Sequence, residues 1–307
     1  AAGLLKMDFL GIRNLSILGH AVEIVEKTTN KKIDIYNLPW NDKKTYDMLA
    51  RGETMGVFQL AGSGMTRYLK ELKPSSIEDI MAMIALFRPG PMAIIPEYIA
   101  RKHGKNSVEY YHPKMVSFLD KSYGLLVYQD DLILTAIELA GYNWATVDNF
   151  RKAVGKKIPE EMTKQHKIFV NGCIKHSNIS KLKAEAIWNL FEPFQGYGFN
   201  KAHAASYAVV AYQTTYLKAN FPIQYMTAVL IAESGDMDKV PAIIHECERL
   251  GIKVLPPDIN ESFKNFAMIS PPLHPSTSIL AAGDNTEAHI RFGLSGIKNL
   301  GEHIAEI

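Results

Sequence analysis

Apolar residues recur along this chain mostly at helical spacing, and the elements follow from that rhythm. Residues 4–11 read as a short strand running into a glycine turn, with Asp8 near its end. Ile12, Leu15, Leu18, Val22 and Val25 then predict an amphipathic helix to about residue 27. A polar connector over 30–40 follows. Short helices at 42–51 and 64–72 flank Val57-Phe58-Gln59-Leu60, a buried turn or strand. Ser75 and Glu78 form a capping box ahead of a stripe of Ile77, Ile80, Met81, Ile84 and Ala85. Phe87-Arg88-Pro89-Gly90-Pro91 stops that helix in a rigid turn, because proline fixes its own φ and cannot continue the ladder. Residues 97–103 are helical up to Gly104, and 123–129 read as a short strand or the start of a helix.

The segment 143–154 has two faces. Val147, Phe150 and Val154 mark the buried one, and Asp148, Lys152 and Lys156 follow each other at four-residue spacing on the other. Gly155 is expected to end this helix, and Pro159-Glu160-Glu161 to start the next. Residues 202–220 predict a long helix with His203, Tyr207, Val210, Thr214 and Leu217 on one face and Tyr212 and Tyr216 on the opposite one. Further helices are read at 222–232 and 238–250. An extended piece at 252–255, a loop at 269–285 and an alternating strand at 289–294 come next. The turn from Gly296 to Gly301 reads as a hairpin between two helical segments, whose backbone N–H groups can hold a DNA phosphate. No repeat is evident.

Composition changes this picture little. The 307 residues are 47% hydrophobic and 21% charged, enough for a large core. A net charge of +2 permits a polyanionic partner without demanding one. The distribution says more: from Arg151 to Lys183 there are nine Lys or Arg against two acids. Such a run is either a solvated helix face or a polyanion-binding surface. Cys173 and Cys247 give no disulfide framework and fit a reducing compartment. No signal peptide is read at the start, and no apolar window reaches membrane-spanning length.

Several familiar chemistries do not match. Gly155-Lys156-Lys157 lacks the rest of a phosphate-binding loop, and Gly62/Gly64 and Gly196/Gly198 lack the third glycine of a dinucleotide fingerprint. No nucleophile-elbow or zincin motif occurs, and neither Cys173 with His176 nor His245 with Cys247 has the spacing of a structural zinc site. The remaining candidates each carry two readings. Asp8 is a turn cap or a metal ligand. Arg88 is a cation at a helix C-terminus or an anion contact on a stiff loop. His203 with Tyr207 is a core pair or a platform for a base. Asp130 and Asp131 are adjacent, cannot share one helix face, and suit capping better than a paired metal site.

A set of ordered stretches carries a resemblance. Lys6-Met7-Asp8-Phe9-Leu10-Gly11, Phe87-Arg88-Pro89-Gly90-Pro91, Tyr123-Gly124-Leu125-Leu126-Val127-Tyr128-Gln129 and Phe150-Arg151-Lys152-Ala153-Val154-Gly155-Lys156-Lys157 come in that order. Gly196-Tyr197-Gly198-Phe199-Asn200-Lys201-Ala202-His203 through Ala208, and Leu255-Pro256-Pro257-Asp258-Ile259-Asn260, follow them. Together they resemble the alpha subunits of bacterial DNA polymerase III, the C-family of replicative polymerases, over nearly the whole chain. The resemblance implies a mainly α fold. It comprises the end of a palm domain at 1–11 with a short strand, a multi-helix fingers domain at 12–255, and a connector at 256–307 with a small strand and the start of a helix-hairpin-helix region.

The same resemblance implies template-directed nucleotidyl transfer by a DNA-directed DNA polymerase using Mg²⁺ held by three palm aspartates. Asp8 corresponds to the third of these, as catalytic residue and metal ligand. Lys6, Arg151, Lys152 and Lys156 are implied to bind the nucleotide, with Arg151 and Lys152 as the basic pair that grips the incoming triphosphate, and His203 and Tyr207 to face the nascent base pair. Arg88, Lys157, Asn200, Lys201 and Lys298 are candidate phosphate or DNA contacts. Lys152 stands where Arg is common, which keeps charge but loses the bidentate fork. Asp130-Asp131 replaces a more usual Glu-Gln, and Ala61-Gly62 a frequent Glu-Ser. The implied partners are primer–template DNA, the incoming dNTP and replisome subunits including the sliding clamp, with no membrane, in the cytoplasm near the nucleoid. With the other palm aspartates expected upstream of Ala1, the piece is expected to be inactive alone. The competing reading is a non-catalytic, helical nucleic-acid-binding module.

Overall fold

The computed structural model describes residues 3–5, 7, 9, 11–156, 159–191, 198–236, 238–270, 287–297, 299–300 and 303–306. Among them the fold is mainly helical. The helices are α1 Arg13–Thr29, α2 Lys43–Arg51, α3 Ser63–Leu72, α4 Ile77–Leu86, α5 Ile95–Lys102, α6 Val116–Leu119, α7 Gln129–Ala140, α8 Trp144–Lys156, α9 Pro159–Ser177, α10 Lys181–Asn189, α11 Lys201–Asn220, α12 Pro222–Glu233 and α13 Val240–Arg249. Three short strands, β1 Val254–Leu255, β2 Ala267–Ile269 and β3 His289–Arg291, make one sheet in the order β1-β3-β2. The chain divides into two compact units, one of residues 1–48, 54–61 and 213–307, the other of residues 49–53 and 62–212.

In the first unit α1 packs along α12. Ile17, Leu18, Ala21 and Val25 are buried, so of the expected stripe Leu18 and Val25 lie inside, Val22 is half-buried and Leu15 is exposed; α1 ends at Asn30 in the left-handed conformation. Helix α12 is buried at every position from Gln224 to Leu230, so neighbours surround it. Lys218 is wholly buried, and its ammonium donates to Glu246 at 2.5 Å and to the Met55 carbonyl at 2.9 Å. Arg249 adds two bonds to the same carboxylate, so the buried charge is neutralised on both sides. In the sheet β3 pairs parallel with β1 through Val254 and Ile290, and antiparallel with β2 through Met268 and Ile290.

The second unit holds the other core. Phe150 of α8 lies fully buried against Tyr142, Phe169, Trp188 and Phe191, with ring centroids 5.4 to 6.0 Å apart. Burying one such ring contributes about 1.5–3 kcal/mol, and edge-to-face geometry adds to it. Val147, Ala153 and Val154 are buried with Phe150, which fixes the rotation of α8 about its axis.

Three further local expectations change. The strand expected over 4–11 is absent among the described residues there; Leu4, Leu5 and Phe9 are exposed and pair with no ladder, without which an extended segment is not a strand. Helix α4 starts at Ile77 with Ser76 as its N-cap, so the residue that reaches back is Asp79, not Glu78. Its carboxylate accepts from the Ser75 N–H at 2.9 Å and is held by Lys102 and Tyr98, partners that lie far away in sequence. Helix α8 runs through Gly155 to Lys156 instead of ending at the glycine. The loop expected at 269–285 lies outside the described residues beyond residue 270.

Candidate nucleotide and nucleic-acid site

Helix α8 carries the basic pair. With Phe150, Ala153 and Val154 turned inward, Arg151 and Lys152 fall toward solvent, 37% and 52% exposed. Both reach back to Asp148, three and four residues earlier, where i,i+3 and i,i+4 side chains meet. Arg151 donates from Nε at 3.0 Å and from Nη2 at 2.7 Å, both to Asp148 Oδ1. The Lys152 ammonium sits 2.6 Å from Oδ2. Each carboxylate oxygen therefore has its own cation. Those bonds, first from Lys152 and then from Arg151, hold the Asp148 carboxyl below the usual carboxylate range, so it is ionised at neutral pH. Lys152 also lines a shallow groove of about 370 Å³ with Asn149, Ala153, Glu161 and Lys164.

A second group forms where α7 and α11 begin. The Gln129 N–H donates to the Phe199 carbonyl at 2.9 Å, and Tyr128 and Phe199 make a parallel bridge. Gly198 permits this approach: a Cβ there would stand 2.5 Å from Gln129 Cγ. Asp131 is buried and caps its own helix, accepting from the Val127 and Tyr128 N–H groups at 2.8 Å each. Burial pushes its carboxyl up to about 6 against those two bonds. Asp130 instead accepts from the Lys201 N–H at 3.2 Å, at the first turn of α11. The adjacent acids thus serve two different helix N-termini, which accounts for their being side by side.

Asn200 is the cap of α11; its Oδ1 accepts from the His203 N–H at 2.8 Å and its carbonyl from the Ala204 N–H. Behind the cap runs a row of rings. The Arg88 guanidinium lies 4.5 Å from the Phe199 centroid, Phe199 stands 5.4 Å edge-on to His203, and His203 lies 4.0 Å from Tyr207 at 38°. Arg88 Nε also donates to the Ala85 carbonyl at 2.9 Å, so the role of a cation at a helix C-terminus is realised as well. Burial lowers the Arg88 pKa from its ordinary value. His203 is exposed and Tyr207 half-buried, so the two form no core pair. The Lys201 ammonium sits 5.4 Å from the Tyr128 ring centroid.

The expected residues therefore fall into two described groups, Arg151 with Lys152 on α8 and Arg88, Asn200, Lys201, His203 and Tyr207 around the start of α11. Lys6, Asp8, Lys157 and Lys298 lie outside the described residues, as does the side chain of Lys156. Among the described residues no cluster of three or more His, Cys, Asp or Glu side chains is placed to hold a metal ion. In the hairpin expected near the end, Asn299 has φ 69° and the Leu300 N–H donates to the Ile297 carbonyl, a turn flanked by single 3₁₀ turns at Leu294–Gly296 and Ile304–Glu306. Phe199 and Tyr128 lie in two of the stretches that carry the resemblance, but the sequence singles out neither for the site, since no helical periodicity assigns them a face. Asp148 has a sequence signal, its spacing to the two cations.

The helical unit thus carries a partly exposed basic pair on one helix and a partly exposed row of rings at the start of another. Residues 14–177 match the bacterial DNA polymerase III alpha subunit finger domain, and residues 251–307 match a helix-hairpin-helix motif. The chain belongs to the family of bacterial DNA polymerase III alpha subunit finger domains. It is 43% identical over 310 residues to the DNA polymerase III subunit alpha of Thermus aquaticus, covering 99% of this chain and 24% of that protein. The subunit of Saccharopolyspora erythraea is 42% identical over 310 residues, with 99% and 24% covered, and that of Escherichia coli K12 is 40% identical over 312 residues, with 98% and 25% covered. The chain spans about a quarter of the length of the curated relatives it matches. Among the described residues no helix is long and apolar enough to cross a membrane.

Proposed function

We propose that this chain forms the fingers of a bacterial replicative DNA polymerase and binds the incoming dNTP during template-directed synthesis. Arg151 and Lys152 take the triphosphate; His203 and Tyr207, with Phe199 and Arg88 behind them, face the nascent base pair. The observation that carries this reading is the pair of adjacent cations already gathered on one carboxylate of α8. Two cations that share one anion at 2.6–3.0 Å are arranged to share a phosphate. The row Phe199, His203 and Tyr207, with His203 exposed and the other two half-buried, supports the second half, because accessible ring faces stack on bases of any sequence. Residues 1–11 form the end of the palm in this reading, with Asp8 as a ligand of a divalent metal ion and Lys6 as a nucleotide contact. Residues 12–255 form the fingers, and 256–307 a connector leading into DNA-binding hairpins, with Lys298 toward phosphate. Primer–template DNA and other replisome subunits are the proposed partners of the whole polymerase.

Lys152 gives the test. In the full-length polymerase containing this chain, Lys152→Ala should raise KM for dNTP several-fold, and Lys152→Arg should restore it. An unchanged KM together with weaker primer–template binding would instead favour a plain nucleic-acid-binding module.

A further inference from the structure

Asp148 is the acidic residue among the basic side chains of α8. Asp148 lies on the same helix as Arg151 and Lys152, carries the opposite charge to the ligand they are assigned, and is 44% exposed. Its carboxylate takes both the Nε and the Nη2 of Arg151, one of the two edges of the guanidinium that can fork onto two oxygens of one phosphate. It also holds the ammonium of Lys152. A phosphate approaching this pair meets donors already in use. Only Nη1 and the second Nη2 hydrogen of Arg151, and two of the three hydrogens of Lys152, are not committed to Asp148. The rotation of α8 is fixed by Phe150, Ala153 and Val154, so the three charged side chains stay on one exposed strip.

We infer that Asp148 is a built-in competitor of the polyphosphate: it occupies the triphosphate donors of Arg151 and Lys152 in the empty site and is displaced from them on nucleotide binding. This inference rests on the nucleotide reading above. It gives Asp148 two effects. In the empty site the carboxylate offsets the repulsion between adjacent cations and keeps them gathered. In the occupied site it opposes every anion, so a weakly charged anion gains little there while a triphosphate still displaces it. The product pyrophosphate meets the same competition, which favours its release. Exposed i,i+3 and i,i+4 ion pairs are individually weak, so the competition is a modest bias that a multivalent anion overcomes.

The test uses the full-length polymerase containing this chain, with Asp148→Asn, Asp148→Ala, Arg151→Ala and the double variant Asp148→Asn/Arg151→Ala. The readouts are KM for dNTP and the inhibition constant of inorganic pyrophosphate. Both single Asp148 variants should lower both constants by about threefold, as loss of two weak pairs implies. The double variant should gain less over Arg151→Ala than the single Asp148 variants gain over the unaltered enzyme, because only the Lys152 ammonium is then left to release. If Arg151→Ala raises KM while the Asp148 variants leave both constants unchanged or raise them, the inference fails and the nucleotide reading stands. If Arg151→Ala leaves KM unchanged, the nucleotide reading fails and the inference with it.

Discussion

The guanidinium of Arg88 lies 4.5 Å from the centre of the Phe199 ring, tying the residue just past α4 to the one just before the cap of α11. Each side of that contact has a second anchor, Arg88 on the Ala85 carbonyl and Phe199 through its own carbonyl on the Gln129 N–H. The stack is therefore held in place from both ends and positions the aromatic row that continues to His203 and Tyr207.

Replacing Phe199 by Leu keeps apolar bulk and removes the ring face. Urea unfolding of Phe199→Leu, Arg88→Met and the double variant should show a coupling of about 0.5–1 kcal/mol, the range for a partly exposed cation–π pair. Simple additivity of the two single effects would contradict a coupled stack.

Asp131 supplies a pH signature. Its folded-state carboxyl is pushed up to about 6 by burial, above the ordinary value of about 3.9 in an unfolded chain. Between those values the folded state holds more protons than the unfolded one, so unfolding free energy falls as pH rises. The stability this group contributes is full below pH ~4 and gone above pH ~6, a difference on the order of 2–3 kcal/mol at most. Unfolding measured from pH 4 to 7 should show that falling component, and Asp131→Asn should remove it. An identical pH slope in the variant would contradict the assignment.

Much of the helical framework is legible in the sequence because burial forces periodicity. The two-faced α8 and the Pro159 start of α9 come out where the spacing puts them, while of the stripe expected on α1 only Leu18 and Val25 are buried. What escapes it is chemistry decided by tertiary partners. Ser75 and Glu78 have the right spacing for a capping box, yet Asp79 takes the role because Tyr98 and Lys102, distant in sequence, hold it there. The burial of Lys218 with Glu246 has no local trace either, since each looks like an ordinary charged helix residue until α11 and α13 meet. In the site, Arg151 and Lys152 are legible as a basic strip, whereas the part played by Phe199 depends on where Arg88 comes to lie.

Two glycines separate these cases. In α9 a Cβ on Gly172 would stand 2.2 Å from the Ala140 carbonyl oxygen, backbone that cannot move aside, and so Gly172→Ala should destabilise by about 1–3 kcal/mol. Gly155 lies inside α8 with open space around it, and Gly155→Ala should stabilise by about 0.5–1 kcal/mol through helix propensity. Thermal melts of the two variants should move in opposite directions; a shift of the same sign in both would contradict the packing of α9 on α7.

Arg151 offers the most direct measurement. In the full-length polymerase containing this chain, single-nucleotide incorporation and primer–template binding can be measured on the same preparation of Arg151→Ala. Loss of a charge-assisted phosphate contact should raise KM for dNTP about tenfold, with the dissociation constant for primer–template DNA within about twofold of the unaltered enzyme. An unchanged KM with DNA binding weakened at every salt concentration would contradict the assignment of α8 to the nucleotide.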